Sequence, residues 1–224
     1  MKTFIHTPAN NLKDSLYFYR KLNFTVLSEE SPTIVSDGTL CIEISTDHFA
    51  RRGIKLVSQS WEQTINKLKE VTTIKKTDSG YLLSDVSGTW IYLVEEANEL
   101  NVELPNSKSA LGNNMGISIE TIDIKKSTEI WMTLGFSRSS EEWPSFTNED
   151  GVTVTFYEPN SCPHLFFNPS LTYFNGDENL QIIEYIRSQQ IPITEEITYF
   201  NEQGIVDNIV LRDPGGLGFF LFND

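Results

Sequence analysis

The sequence repeats itself at half its length, and no other feature limits the fold as much. Asn11-Leu-Lys-Asp-Ser15-Leu-Tyr-Phe-Tyr-Arg-Lys-Leu22-Asn-Phe24 returns as Asp123-Ile-Lys-Lys-Ser127-Thr-Glu-Ile-Trp-Met-Thr-Leu134-Gly-Phe136. Ser15 and Ser127 are 112 residues apart, as are Leu22 and Leu134, in a chain of 224. A second pair closes each half: Asp85-Val-Ser-Gly88-Thr-Trp-Ile-Tyr-Leu93 and Asp213-Pro-Gly-Gly216-Leu-Gly-Phe-Phe-Leu221. Two matches in the same order point to a duplicated architecture, with the extra length in the second half.

Within each half the pattern doubles again. Residues 3–7 alternate and precede a proline, as a first strand does. Asn10 or Asn11 caps a helix whose apolar face is Leu12, Leu16, Tyr19 and Leu22. Strands are predicted at 24–28, 32–36 and 40–45, with Asp37-Gly38 as a turn. The order recurs as a strand at 53–57, a Ser60-capped helix with Trp61, Ile65 and Leu68 inward, and strands near 71–76, 80–84 and 89–95. The second half gives a strand at 115–120, an Asp123-capped helix carrying Ile124, Trp131 and Leu134, and strands near 136–140, 143–147 and 152–157. A last unit gives a strand at 170–174, a helix at 178–189 and strands at 193–200, 204–210 and 218–222, with Asp213-Pro-Gly-Gly as the final turn. The expected class is α+β, built from four βαβββ modules. The polar stretch around Pro105, Ser107, Ser109 and Gly112 reads as a boundary. It divides the chain into a first domain at 1–97, a linker at 98–113 and a second domain at 114–224.

Composition narrows the functional classes. Hydrophobic residues make up 39% of the chain, enough for packed cores rather than disorder. The formal net charge of −14 repels phosphate backbones, so no nucleic-acid partner is expected. Cys41 and Cys162 form no Cys-x-x-Cys and read as free thiols in a reducing compartment. No apolar run is long enough for a membrane span, and the opening Met-Lys-Thr-Phe-Ile-His-Thr-Pro lacks the features of a signal peptide. A cytoplasmic protein without a membrane partner is the expectation by elimination.

The duplicated motif, with Phe18-Tyr19 inside it, and the terminal Asp213-Pro-x-Gly together resemble the glyoxalase, bleomycin-resistance and extradiol-dioxygenase proteins, the vicinal oxygen chelate superfamily. The likeness covers nearly the whole chain apart from the linker. It implies that two modules side by side form a curved, incomplete barrel with helices outside and a cup inside. Four modules then give two glyoxalase-like incomplete barrels. Activity is not fixed by the resemblance, because members isomerise, epimerise, cleave aromatic rings, transfer thiols to epoxides or sequester drugs.

Metal-using members of that superfamily take His or Glu ligands from cup-facing positions on the first and last strands of paired modules, where a divalent ion polarises two neighbouring oxygens. Carried over, those positions fall on Phe4, Glu43, Gly53 and Tyr92 in the first half. In the second half they fall on Gly116, Thr155, a residue near Ser170 to Thr172, and Phe220. Only Glu43 is a ligand type, and the loss in the second half speaks against ring cleavage, since the extradiol dioxygenases keep iron there. No metal or other cofactor is expected, apart from a weak alternative at His6 and Glu43. His6 lies two residues beyond Phe4 and faces the same side of its strand. His6, Glu43 and Tyr92 therefore share the first cup, with Lys55 nearby. Without metal, His6 and Glu43 could act as an acid/base pair, or His6 could simply be hydrogen-bonded in a polar cup.

The second cup reads as aromatic, with Phe220 and Phe222 on its last strand, Tyr157 and Phe174 beside them and Trp143 at the rim. It is either a pocket for a flat molecule or filled core. The candidate ligand-binding residues are thus His6, Glu43, Lys55, Tyr92, Thr155 and Phe220. The adjacent Arg51 and Arg52 would meet an anion at the mouth of the first cup or belong to a solvated loop. His48 and His164 read as loop residues, and Cys162 and His164 lie too close in sequence for a nucleophile and its base. Phosphate-cradling glycine loops, zinc spacings and Gly-x-Ser-x-Gly are absent. Three readings stay open. The first is metal-independent binding of a small molecule, with a homodimer as in bleomycin-resistance proteins. The second is a lyase, isomerase or dioxygenase with a rearranged site in the first domain, and the third is a structural or interaction protein with filled cups.

Overall fold

The computed structural model describes residues 1–97 and 102–223. In the first half the elements are β1 (Lys2–Pro8), α1 (Leu12–Lys21), β2 (Thr25–Ser28), β3 (Thr33–Ser36), β4 (Cys41–Ser45), β5 (Gly53–Ser58), α2 (Glu62–Leu68), β6 (Ile74–Thr77), β7 (Gly80–Ser84) and β8 (Trp90–Glu95). The second half has β9 (Asn114–Glu120), α3 (Ile124–Thr133), β10 (Ser137–Arg138), β11 (Ser145–Thr147), β12 (Thr153–Tyr157), β13 (Ser170–Phe174), α4 (Asn179–Ser188), β14 (Ile193–Ile197), β15 (Asn208–Arg212) and β16 (Gly218–Phe222). Short 3-10 turns span Pro163–Phe167 and Gly176–Glu178. The four βαβββ modules of the α+β reading are present.

The modules pair into two open sheets of eight strands, in the orders β2-β3-β4-β1-β5-β8-β7-β6 and β10-β11-β12-β9-β13-β16-β15-β14. The first strands of paired modules run antiparallel at the centre, β1 with β5 and β9 with β13. Each also runs parallel to the last strand of its own module. This places β4, β1, β5 and β8 side by side, so cup-facing residues from all four meet.

The repeated motif is a helix with its two ends. Asn11 and Asp123 accept backbone N–H groups of α1 and α3. At the other end Asn23 and Gly135 take positive φ, at 58° and 98°. The next residue's N–H then turns back: Phe24 bonds Tyr19 O and Phe136 bonds Trp131 O. That is a Schellman closure, and each pair of rings packs over it, 5.1 and 5.0 Å between centroids. Leu22-Asn-Phe24 and Leu134-Gly-Phe136 recur because this stop needs a left-handed residue followed by an apolar one.

The closing hairpins explain the other repeat. Asp37, Asp85, Asn148 and Asp213 each cap their own turn through one side-chain oxygen. The second polar atom crosses to the opposite domain. Asp37 accepts from Tyr173 and Asn114, Asp85 from the Trp131 indole, and Asp213 from Thr7 and Tyr19, while Asn148 donates to Thr3. Between these ties, helix faces and one face of each sheet form a single apolar core shared by both halves. Phe18 and Phe219 meet across it at 5.9 Å. The opposite faces of the sheets carry two separate, smaller clusters, one around Phe4 and Cys41 and one around Phe167 and Phe220. Those are the floors of the two cups.

Two sequence expectations are corrected. Strand 204–210 is displaced to Asn208–Arg212, because the Asn201 side chain bonds both Ile205 N and Ile205 O and folds the preceding chain into a loop. His164 lies in no open loop: the Pro163–Phe167 turn buries it to 2% exposure. Of the expected linker, residues 98–101 lie outside the described chain, and its later part docks on the first domain through Ser109 and Ala110.

Candidate functional site

The first cup is an open cleft of about 500 Å3, lined on its polar side by His6, Glu43, Lys55 and Tyr92. Sheet register brings them together. His6 pairs with Glu43 across β1–β4, and Lys55 pairs with Tyr92 across β5–β8. Alternation sends Ile5, Ile42, Ile54 and Ile91 to the shared core and their polar neighbours into the cup. Phe4 packs below them with Cys41 and Val57. Trp90, Leu82 and Phe49 supply apolar walls, and Trp90 and Phe49 are exposed at the mouth.

The polar floor is an ordered chain of contacts. Lys55 Nζ donates to Glu43 Oε2 at 2.7 Å, and both side chains are largely buried. Glu43 Oε1 lies 3.7 Å from His6 Nε2. His6 Nδ1 is 2.8 Å from Arg51 O. A carbonyl only accepts, so Nδ1 carries the proton and the neutral ring turns its Nε2 lone pair toward Glu43 and the cleft. Burial pushes the His6 pKa down, opposed by the Arg51 carbonyl and then by Glu43. Tyr92 packs against His6 at 4.7 Å between ring centroids. Its hydroxyl accepts from Arg51 N and donates to Arg51 O, and burial pushes its pKa up. Arg51 is therefore fixed through its backbone, while the Arg52 guanidinium points to the other domain and donates to Phe167 O and Gly216 O.

This donor set does not fit a divalent ion. The position opposite His6 on β5 is Gly53, and a side chain there would run into the Trp90 backbone. Glu43, the carboxylate beside His6, already holds an ammonium, so a metal there would have to displace Lys55 and leave it buried without its partner. Among the described residues no three of His, Cys, Asp and Glu gather around one point.

Thr155 and Phe220 lie in the second cup, away from the other four candidates. Thr155 shares a hydrogen bond with Ser145, 2.8 Å between oxygens. Phe220 is covered by the His164 ring, stacked 4.4 Å away at 8°, and stacks in turn on Phe222. Phe167 lies over Gly218. The segment that fills this cup was missed in the sequence because a five-residue 3-10 turn has no periodicity; Cys162-Pro163 was its only local signal.

No family model and no curated protein sequence matches the chain. Solved structures do match. A mutant 4-hydroxymandelate synthase from Streptomyces coelicolor aligns over 97% of this chain and 90% of its own, with TM-score 0.56 and 11% identity. Homoprotocatechuate 2,3-dioxygenase from Brevibacterium fuscum, in complex with 3,4-dihydroxyphenylacetate, aligns over 99% and 80%, with TM-score 0.57 and 13% identity. The Mn(II)-bound glyoxalase from Novosphingobium aromaticivorans aligns over 97% and 79%, with TM-score 0.54 and 11% identity. The likeness is one of fold: the chain has the tandem-domain fold of the vicinal oxygen chelate superfamily.

Proposed function

We propose that the first cup binds a small organic molecule without a metal ion. The observation that carries this reading is the Lys55–Glu43 contact of 2.7 Å in an open cleft: a fixed ammonium stands where a cation would otherwise engage the carboxylate. Lys55 keeps two further N–H donors for an oxygen of the ligand, and Trp90 offers a flat wall at the mouth. A second reading is metal-free acid/base chemistry in the same cup, favoured by the neutral His6 whose Nε2 lone pair faces the cleft. The test is a thermal-shift and NMR screen of small aromatic acids and phenols against the chain and its Trp90→Ala and Lys55→Met variants. The reading expects hits that shift resonances of Trp90 and Tyr92 and are weakened about tenfold or more in each variant, the scale of one lost polar contact. Hits that bind all three proteins equally would place the site elsewhere and overturn it.

A further inference from the structure

The second cup is closed by the chain's own side chains, and several features distinguish this closure from ordinary core. His164 lies between the Tyr157 ring at 6.1 Å and the Phe220 ring at 4.4 Å. Tyr157 is on β12 and Phe220 on β16, so the imidazole spans the two strands between them, β9 and β13. There the cup-facing residues are Ser118 and Ser170, paired directly in register. Ser170 Oγ and His164 Nε2 are both buried without any hydrogen-bond partner. Optimised cores rarely leave two such groups unpaired.

The same turn presents Phe166 to solvent at 86% exposure, while its neighbour Phe167 covers Gly218. The turn is held from inside the cup by the His164 stack on Phe220 and by Asn168, which accepts from Glu120 N and donates to Glu120 O, and from outside it by one arginine. Arg52, on the first domain, donates to Phe167 O at 2.9 Å, and its neighbour Arg51 forms the wall of the first cup. We propose that Pro163–Phe167 is a displaceable internal ligand of the second cup, latched by Arg52, and that a planar, uncharged heteroaromatic molecule takes its place when the latch opens.

The ligand class follows from the floor left behind. Phe220 and Phe222 stack parallel and present a flat face to whatever replaces the imidazole. With the turn gone, the apolar residues left around the site are Ile197, Val210, Cys162 and Phe222, among which an ionised ring would lose its hydration. Ser170 supplies a hydroxyl donor that a ring nitrogen accepts, while its neighbour Ser118 lies against the Tyr157 hydroxyl. Quinoline has this chemistry: a flat bicycle with one acceptor nitrogen.

The test titrates quinoline into the full chain and into Arg52→Met, read by NMR and by hydrogen exchange at the amides of residues 164–168 within the 163–168 segment. The expected result is shifts at Ser170 and Phe220, faster exchange confined to 163–168, and at least tenfold tighter binding in Arg52→Met, because more of that variant is open. Phe167→Ala, which removes the ring over Gly218, serves the same purpose should Arg52→Met fail to fold. If exchange at 163–168 stays as slow as in β13 and β16 in every form, or quinoline shifts neither residue, the cup is sealed core and the proposal is wrong. This outcome is independent of whether the first cup binds anything.

Discussion

Replacing His164 with phenylalanine should remove a pH-dependent loss of stability. The ring is 2% exposed, and burial pushes its pKa down to about 3 from an ordinary 6.5. In the unfolded chain at pH 5 the imidazole is protonated by about 30 to 1, whereas in the folded chain it stays neutral. The unfolded state therefore binds the extra proton, and stability falls as pH drops below 6.5 toward 3. Between pH 7.5 and pH 5 the fall is RT times the logarithm of that ratio, about 2 kcal/mol. Phenylalanine keeps the stack on Phe220 and cannot take up the proton. His6, whose pKa is also pushed down by burial, adds a fall in the same direction, and Asp213 and Asp85, whose pKa values burial raises, oppose it. All three act equally in both proteins, so the difference isolates His164. Urea denaturation at the two pH values measures it. Equal falls in wild type and variant would mean that position 164 is wet in the native state and the second cup is not closed as described.

Other expectations follow from the same contacts. Asp213→Ala strands the Tyr19 and Thr7 hydroxyls and Leu217 N in the shared core, and should cost about 3 kcal/mol or more in urea unfolding; a loss under 1 kcal/mol would mean that the domains are held by packing alone. Lys55→Met leaves Glu43 without its ammonium and should destabilise by about 3 kcal/mol, while adding Glu43→Gln should recover most of it. Additive losses in that cycle would show that the pair is not coupled. Gly215→Val puts a side chain into the Pro8 carbonyl where the last hairpin docks on β1, and should lower the melting temperature by several degrees; calorimetry reads this directly.

Much of the fold was legible because it rests on local chemistry that recurs between the two halves. Asn11 and Asp123 announce helix starts, Asn23 and Gly135 announce stops, and Asp37, Asp85 and Asp213 announce hairpins. Strand alternation also carried His6, Glu43, Lys55 and Tyr92 into one cup, because a period of two fixes the side on which each residue emerges. What the sequence hid were partners set by tertiary approach. The crossing of Asp37 to Tyr173 spans 136 residues, and nothing near either residue encodes it. Arg52 reads as a loop arginine until the fold brings Phe167 O within 2.9 Å. His164 reads likewise, since burial of a short turn leaves no periodic trace. Gln190, which closes α4 with positive φ as Asn23 closes α1, was hidden by a side chain that rarely takes that conformation.

In the first cup Lys55, not a metal ion, engages Glu43. Elemental analysis tests it most directly, on protein purified without chelator and without an affinity-tag nickel step, alongside Glu43→Ala. Well under about one-tenth of an equivalent of nickel, zinc, iron or manganese is expected in both proteins, because an ammonium already holds Glu43. Near-stoichiometric metal in the wild type that disappears in Glu43→Ala would contradict it and restore the cup as a metal centre.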